Sequence, residues 1–123
     1  MPGLAHILLV EDDPTIQGAI SLLLEREGFR VSCAGNGAEA LALLGTGDDP
    51  ALILLDMMMP VMNGQEFRVE QHRDARLAAI PVVVLSATFG SEAWPDLPPP
   101  AAVMPKPFDL DQLLEVVEKH SRR

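Results

Sequence analysis

Six side chains stand where apolar runs of the chain stop. The run His6 to Val10 ends in Glu11, Asp12 and Asp13, Ala51 to Leu55 ends in Asp56, Pro81 to Leu85 ends in Ser86, and Ala101 to Met104 runs into Lys106. If these runs are parallel strands of an open sheet, their carboxyl ends meet in the crevice where the strand order reverses. The first and third strands would be neighbours, so their terminal carboxylates converge. Two carboxylates about 4 Å apart repel by about 4 kcal/mol at an effective dielectric near 20 unless a cation sits between them. Convergent hard oxygens with room for water suit Mg²⁺, which binds through one or two carboxylates plus a phosphate. A hydroxyl at Ser86 and an ammonium at Lys106 then complete a donor set for a phosphoryl group carried by the central carboxylate. Positioning and charge neutralisation do most of the work of phosphoryl transfer. Taken singly, each residue reads plainly: Asp13 as a helix cap, Lys106 as a surface lysine, Ser86 as a strand-end hydroxyl. Their joint placement is what carries the signal.

The elements that must position these groups alternate strand-like runs with helical patterns, which marks an α/β fold with a parallel sheet wrapped by helices. Five such repeats can be counted. After the first strand, Asp13-Pro14 supplies a cap and a first-turn proline. Ile16, Ala19, Ile20, Leu23 and Leu24 share one helix face, and Gly28 ends the helix. Phe29 to Ala34 is a second strand, Gly35-Asn36-Gly37 a turn, and Ala38 to Leu44 a short helix. The continuous apolar run Ala51 to Leu55 predicts a central strand covered on both faces. A helix is expected over Gly64 to Arg73, then the strand Pro81 to Leu85. Pro95, Pro98, Pro99, Pro100 and Pro105 interrupt the region that follows. Between Phe89 and Pro100 no helix longer than about two turns is expected, because proline and the residue before it avoid helical geometry. Trp94 is expected to cover the sheet surface left bare there. Ala101 to Met104 is the fifth strand, and Pro105 beside it suits a sheet edge. The last helix, Leu110 to His120, is capped by Asp109 with Gln112 in the capping-box position.

With 123 residues, 48% of them hydrophobic, the chain has room for one compact domain and too little for two plus a linker, so residues 1–123 read as a single domain. No apolar run approaches the roughly 18 residues of a membrane span, and the start, MPGLAHILLVEDD, lacks a signal peptide's basic region. A cytoplasmic protein without membrane contact is expected. The net charge of −9 argues against nucleic acid as a direct partner, since binding phosphate backbones needs a basic face. The basic tail from Lys119 to Arg123 reads as a solvated helix end, where cations suit the dipole. Cys33 has no second cysteine to pair with and reads as a buried reduced thiol in its strand. Met57, Met58, Met59 and Met62 read as packing and loop residues rather than a copper site. His6, His72 and His120 fall on different elements, which argues against a shared metal site.

The motifs VEDDP at 10–14, LLDMMMPVMNG at 54–64, VVVLSA at 82–87 and KPF at 106–108 resemble the receiver domains of two-component response regulators, over essentially the whole chain. The resemblance implies a doubly wound, five-stranded parallel sheet, (βα)5 in the order 2-1-3-4-5, here with the helix before the last strand shortened or replaced by a Pro-rich loop. It implies that Asp56 accepts a phosphoryl group from a histidine kinase or a histidine phosphotransfer protein, in a reaction needing Mg²⁺ or Mn²⁺. By the same resemblance, Asp12, Asp56 and the backbone carbonyl of Met58 would hold the metal, with Glu11 acting through water. Ser86 and Lys106 would bind the phosphoryl oxygens, Pro60 and Gly64 match the loop after the acceptor, and Lys106-Pro107 matches the family's cis peptide. A phosphorylated surface would then regulate a downstream protein partner, the domain itself being a monomer or weak dimer that catalyses its own phosphorylation and dephosphorylation.

Two departures from the family bear on output. The family places Tyr or Phe three residues before the lysine, where this chain has Val103, and a regular helix where this chain has its proline-rich stretch. The irregular segment before the last strand lends some support to an alternative, a pseudo-receiver that signals without phosphorylation. An aspartyl phosphatase is disfavoured because Asp56-Met57-Met58 lacks a second carboxylate to act as acid and base. A nucleotide-binding domain is disfavoured because acids stand where a glycine-rich phosphate loop belongs.

Overall fold

The computed structural model describes residues 5–86, 98–106 and 108–121. Five strands, β1 (His6–Val10), β2 (Arg30–Ala34), β3 (Leu52–Asp56), β4 (Val82–Ser86) and β5 (Ala102–Pro105), form one parallel sheet in the order β2-β1-β3-β4-β5. The described helices are α1 (Pro14–Arg26), α2 (Gly37–Leu44), α3 (Gly64–His72), the single turn α4 (Ala75–Ala78) and α5 (Leu110–His120). The chain runs from β1 outward to β2, then crosses back to β3. That reversal, between β1 and β3, opens the crevice in which loops after both strands face each other.

Alternation along the strands divides the core in two. Leu8, Val10, Ile53, Leu55, Val82 and Val84 pack with Ala40 and Leu44 of α2 and Phe67 of α3. Ile7, Leu9, Leu52, Leu54, Val83 and Leu85 pack with Ile20 and Leu24 of α1 and Leu113 and Val117 of α5. Both faces of the sheet are thus covered, which is why β1 and β3 are buried at every position.

Capping sets where the helices begin. Asp13 accepts from the backbone N–H groups of Thr15 and Ile16, Pro14 fills the first turn, and Gly28, at φ 95°, ends the turn that follows α1. Asn36 caps α2 through Glu39 N. The reciprocal capping box stands at α3, between Asn63 and Glu66. At α5 Asp109 accepts from Asp111 N instead.

Strands β3, β4 and β5 each begin and end one residue later than the apolar pattern suggests, and β2 begins one residue later. The β3–β4 ladder continues through Asp56 opposite Leu85, and the β4–β5 ladder through Ser86 opposite Pro105, so polar or irregular residues close strands that hydrophobicity alone would end sooner. Cys33 is a correction: it is exposed, its Sγ 3.1 Å from Ser21 Oγ. As the outermost strand, β2 leaves much of its surface open and buries only Ala34. Ala19, expected on the inner face of α1, is also exposed. β5 forms the opposite edge, where Pro105 costs at most one ladder rung. The expectations for Trp94, for the segment from Phe89 to Leu97 and for Pro107 lie outside the described residues.

Candidate functional site

Glu11 follows β1 directly, and two backbone contacts fix it there: its N–H donates to Ala34 O at 3.0 Å and its carbonyl accepts from Gln17 Nε2 at 3.0 Å. Its side chain is 1% exposed. Asp56 closes β3 and is buried beside it, and Asp12 stands exposed at the rim. One carboxylate oxygen from each of Glu11, Asp12 and Asp56 can be chosen so that all lie within 4.8 Å of one another. Lys106, one residue past β5, sets its Nζ 3.3 Å from Glu11 Oε1 and 3.3 Å from Asp56 Oδ1. One ammonium therefore serves two buried carboxylates.

The electrostatics follow from that shortage of positive charge. Burial, reinforced by the neighbouring Asp56, pushes the Glu11 carboxyl up to about 7, against the pull of Lys106 and of the Asp13 N–H that donates to Glu11 Oε2 at 3.1 Å. Burial alone would lower Lys106, but Asp56 and Glu11 outweigh it and hold its ammonium above the ordinary lysine value. A divalent cation among the three carboxylates would relieve this repulsion, and an all-oxygen donor set fits a hard ion such as Mg²⁺.

The loop after Asp56 is clamped from both sides. Met58 N donates to Asp56 Oδ1 at 3.2 Å, and Gly64 N donates to Met57 O at 3.2 Å. A Cβ on Gly64 would lie 2.8 Å from Asp56 O and 2.8 Å from Met57 Cα, so only glycine lets α3 start this close to β3. Gly37 at the start of α2 donates to Met62 O at 3.0 Å. Between the clamps, Met62 N donates to Pro60 O at 2.7 Å, closing a three-residue turn around Val61 at φ 66°. A β-branched residue in that region costs about 1–3 kcal/mol and persists only where the surroundings impose it. Met57, Met59 and Met62 pack on the α2–α3 core, as their expected packing role requires, whereas Met58 is 75% exposed beside the site.

The fold thus brings Glu11, Asp12, Asp56, Met58 and Lys106 together. Ser86 ends β4 with its backbone opposite Pro105, and its side chain lies outside the described residues. Asp13 stands apart as the cap of α1. Val103 is half-buried against the α2–α3 core. The sequence pattern gave no sign of Gln17, a helix side chain that donates to the Glu11 carbonyl. Among the described residues no helix is long and apolar enough to cross a membrane.

Known proteins share this chain's sequence pattern and fold. Residues 7–118 match the family model for the response regulator receiver domain. Protein PilH of Pseudomonas aeruginosa is 30% identical over 93% of this chain and 95% of PilH. Response regulator Rre1 of Synechocystis sp. is 36% identical over 90% of this chain but 49% of its own length, so the chain spans about half of that relative. Among solved structures, Vibrio cholerae chemotaxis protein CheY4 superposes with a TM-score of 0.85 at 26% identity, covering 96% of this chain and 99% of that one.

Proposed function

Because the chain belongs to the response regulator receiver domain family, we propose that Asp56 is its phosphoacceptor and that the domain takes the phosphoryl group from the phosphohistidine of a histidine kinase or a histidine phosphotransfer protein. The observation that carries this reading is the convergence of Glu11, Asp12 and Asp56 within 4.8 Å around one ammonium, 3.3 Å from two of them. An Asp56 oxygen attacks phosphorus, a P–O bond forms, the P–N bond to the donor imidazole breaks, and the imidazole leaves with its electron pair. Lys106, already between Glu11 and Asp56, stabilises charge on the transferred phosphoryl oxygens, and Ser86 supplies a hydroxyl to another. Asp12, Asp56 and the Met58 carbonyl would hold Mg²⁺ or Mn²⁺, with Glu11 acting through water; the ion supplies charge neutralisation and a template for the phosphoryl oxygens.

Phosphorylation adds about −1.5 to −2 charges to a site already short of cations. Lys106 is drawn further inward, and the altered surface regulates a protein partner in the cytoplasm. The chain's own groups perform both the transfer and the later hydrolysis. The pseudo-receiver alternative gains nothing from the site, which holds the acceptor, the acids and the lysine together.

Intact-mass measurement with acetyl phosphate tests this. Wild type with Mg²⁺ is expected to gain one phosphoryl group, and Asp56→Asn none, since the substitution removes the nucleophile. Labelling of Asp56→Asn, or of wild type in EDTA, would refute the assignment.

A further inference from the structure

Gln17, near the start of α1, reaches back to the acids that follow β1. Its backbone N–H donates to Asp13 O at 2.9 Å and its side-chain Nε2 to Glu11 O at 3.0 Å, so one residue holds the carbonyls of both neighbours of Asp12. The first of these is the opening bond of the helix, which any residue but proline makes. Helix geometry does not require the second, which needs a side-chain donor of this reach. Among the described residues no hydrogen bond holds the Asp12 side chain, which stands exposed at the rim. Its place is therefore set through the backbone.

Glu11 is anchored at one end by its N–H, which donates to Ala34 O at 3.0 Å. With that end held, the direction of the Glu11 carbonyl fixes the last rotation before Asp12, and the planar trans peptide then places the Asp12 Cα. On the far side, Asp13 donates its N–H to Glu11 Oε2 at 3.1 Å, and its carboxylate accepts from Thr15 N at 2.8 Å and Ile16 N at 3.3 Å. The Gln17 amide is thus the one tie on the near side of Asp12 that comes from the helix. α1 is a firm reference for this task, because its Ile20 and Leu24 are buried together with Ile7 and Leu9 of β1 and Leu52 and Leu54 of β3.

We propose that Gln17 is a positioning residue for the metal: by holding the Glu11 carbonyl it keeps the Asp12 carboxylate within 4.8 Å of those of Glu11 and Asp56, where an ion can bridge them. Residues that orient metal ligands from behind commonly change metal affinity by about 10- to 100-fold when replaced. The inference rests on the reading of Asp12 and Asp56 as ligands of Mg²⁺ in phosphoryl acceptance.

The test is Gln17→Met, which keeps length and helix propensity but removes the side-chain N–H donors. In EDTA, amide exchange at Glu11 and Asp13 is expected to quicken by about tenfold, while the core amides of Leu54 and Val84 keep their wild-type rates. By calorimetric titration Mg²⁺ is expected to bind about tenfold more weakly. Phosphorylation by acetyl phosphate should slow at limiting Mg²⁺ and return to within about twofold of wild type at saturating Mg²⁺, because binding of the ion is weakened rather than the transfer itself. In an Asp12→Ala background, Gln17→Met should add nothing to the loss of Mg²⁺ affinity. Wild-type affinity in Gln17→Met, or losses that add in the double variant, would overturn the proposal. Should Gln17→Met fail to fold, Gln17→Asn, whose amide stops one methylene short, is expected to show the same loss, and loss of the fold in both would make Gln17 a stability residue only. Wild type that binds no Mg²⁺ would overturn the proposal outright. Wild type that binds Mg²⁺ but takes no phosphoryl group would remove the acceptor reading, while the titration would still decide the role of Gln17.

Discussion

The two ends of the sheet hold their carboxylates under opposite conditions. At the amino ends of the strands, Asp48 and Asp49 lie at the surface and each has its own arginine: Arg30 meets Asp48 through two hydrogen bonds of 2.9 and 3.2 Å, and Arg76 meets Asp49. Arg30 holds the Asp48 carboxyl below its ordinary value. At the carboxyl ends, Glu11 and Asp56 are buried and share Lys106, with Asp12 close by. The first arrangement satisfies the charges of the fold as it stands. The second is left short of positive charge, as a place prepared for a cation and a phosphoryl group would be.

Removing the cation at each end gives the largest expected contrast. Lys106→Ala in EDTA at pH 7 should lower stability by about 2 kcal/mol, less than the roughly 3–5 kcal/mol of a broken buried pair because Glu11 can take up a proton. Arg30→Ala should leave the urea midpoint nearly unmoved, because its pair with Asp48 is exposed and screened. Equal losses in urea titrations of the two variants would erase the distinction.

A smaller effect concerns the sign of the pH dependence. The Glu11 carboxyl stands at about 7 in the fold against an ordinary 4.5, so the folded state binds the proton more tightly. Its contribution is complete below about 4.5 and is lost as pH rises toward 7. Asp48, held below its ordinary 3.8, contributes above that value and loses its contribution as pH falls. In chelator, stability between pH 5 and 7 should therefore decline for wild type and flatten in Glu11→Gln, by a slope of at most about one proton. An unchanged slope in Glu11→Gln would show that burial of Glu11 is not its source.

The smallest effect tests whether the site end also stores backbone strain. Val61→Gly relieves the positive φ but adds freedom to the unfolded chain, so a net gain of about 1 kcal/mol or less is expected by chemical denaturation. A clear loss would show that Val61 contributes packing that outweighs its conformation.

Much of the fold and site could be read from residue order because the signals were local. Asp13-Pro14 marked the start of α1, the span of α5 matched its periodicity residue for residue, and the acids after His6 to Val10 and Ala51 to Leu55 stood at strand ends. What escaped was set by distance or by partial burial. Cys33 looked like a core residue because it sits in a strand-like stretch, but β2 lies at the edge. α4 is a single turn, too short for periodicity, with Asp74 as its one marker. Arg68 had no sequence signal, since the Pro98 carbonyl to which it donates lies 30 residues away.

The shortness of β5 bears on more than the site. An open strand edge is a template on which another chain can lay itself, and repeated pairing of that kind leads to fibres and precipitates. Here one margin of the sheet is a strand of only four residues, which offers an incoming strand little length. The opposite margin begins at exposed Arg30, whose charge a foreign strand would have to bury. Both open margins are thereby poor seeds for aggregation, which favours a chain that can accumulate to high concentration without its sheets joining end to end.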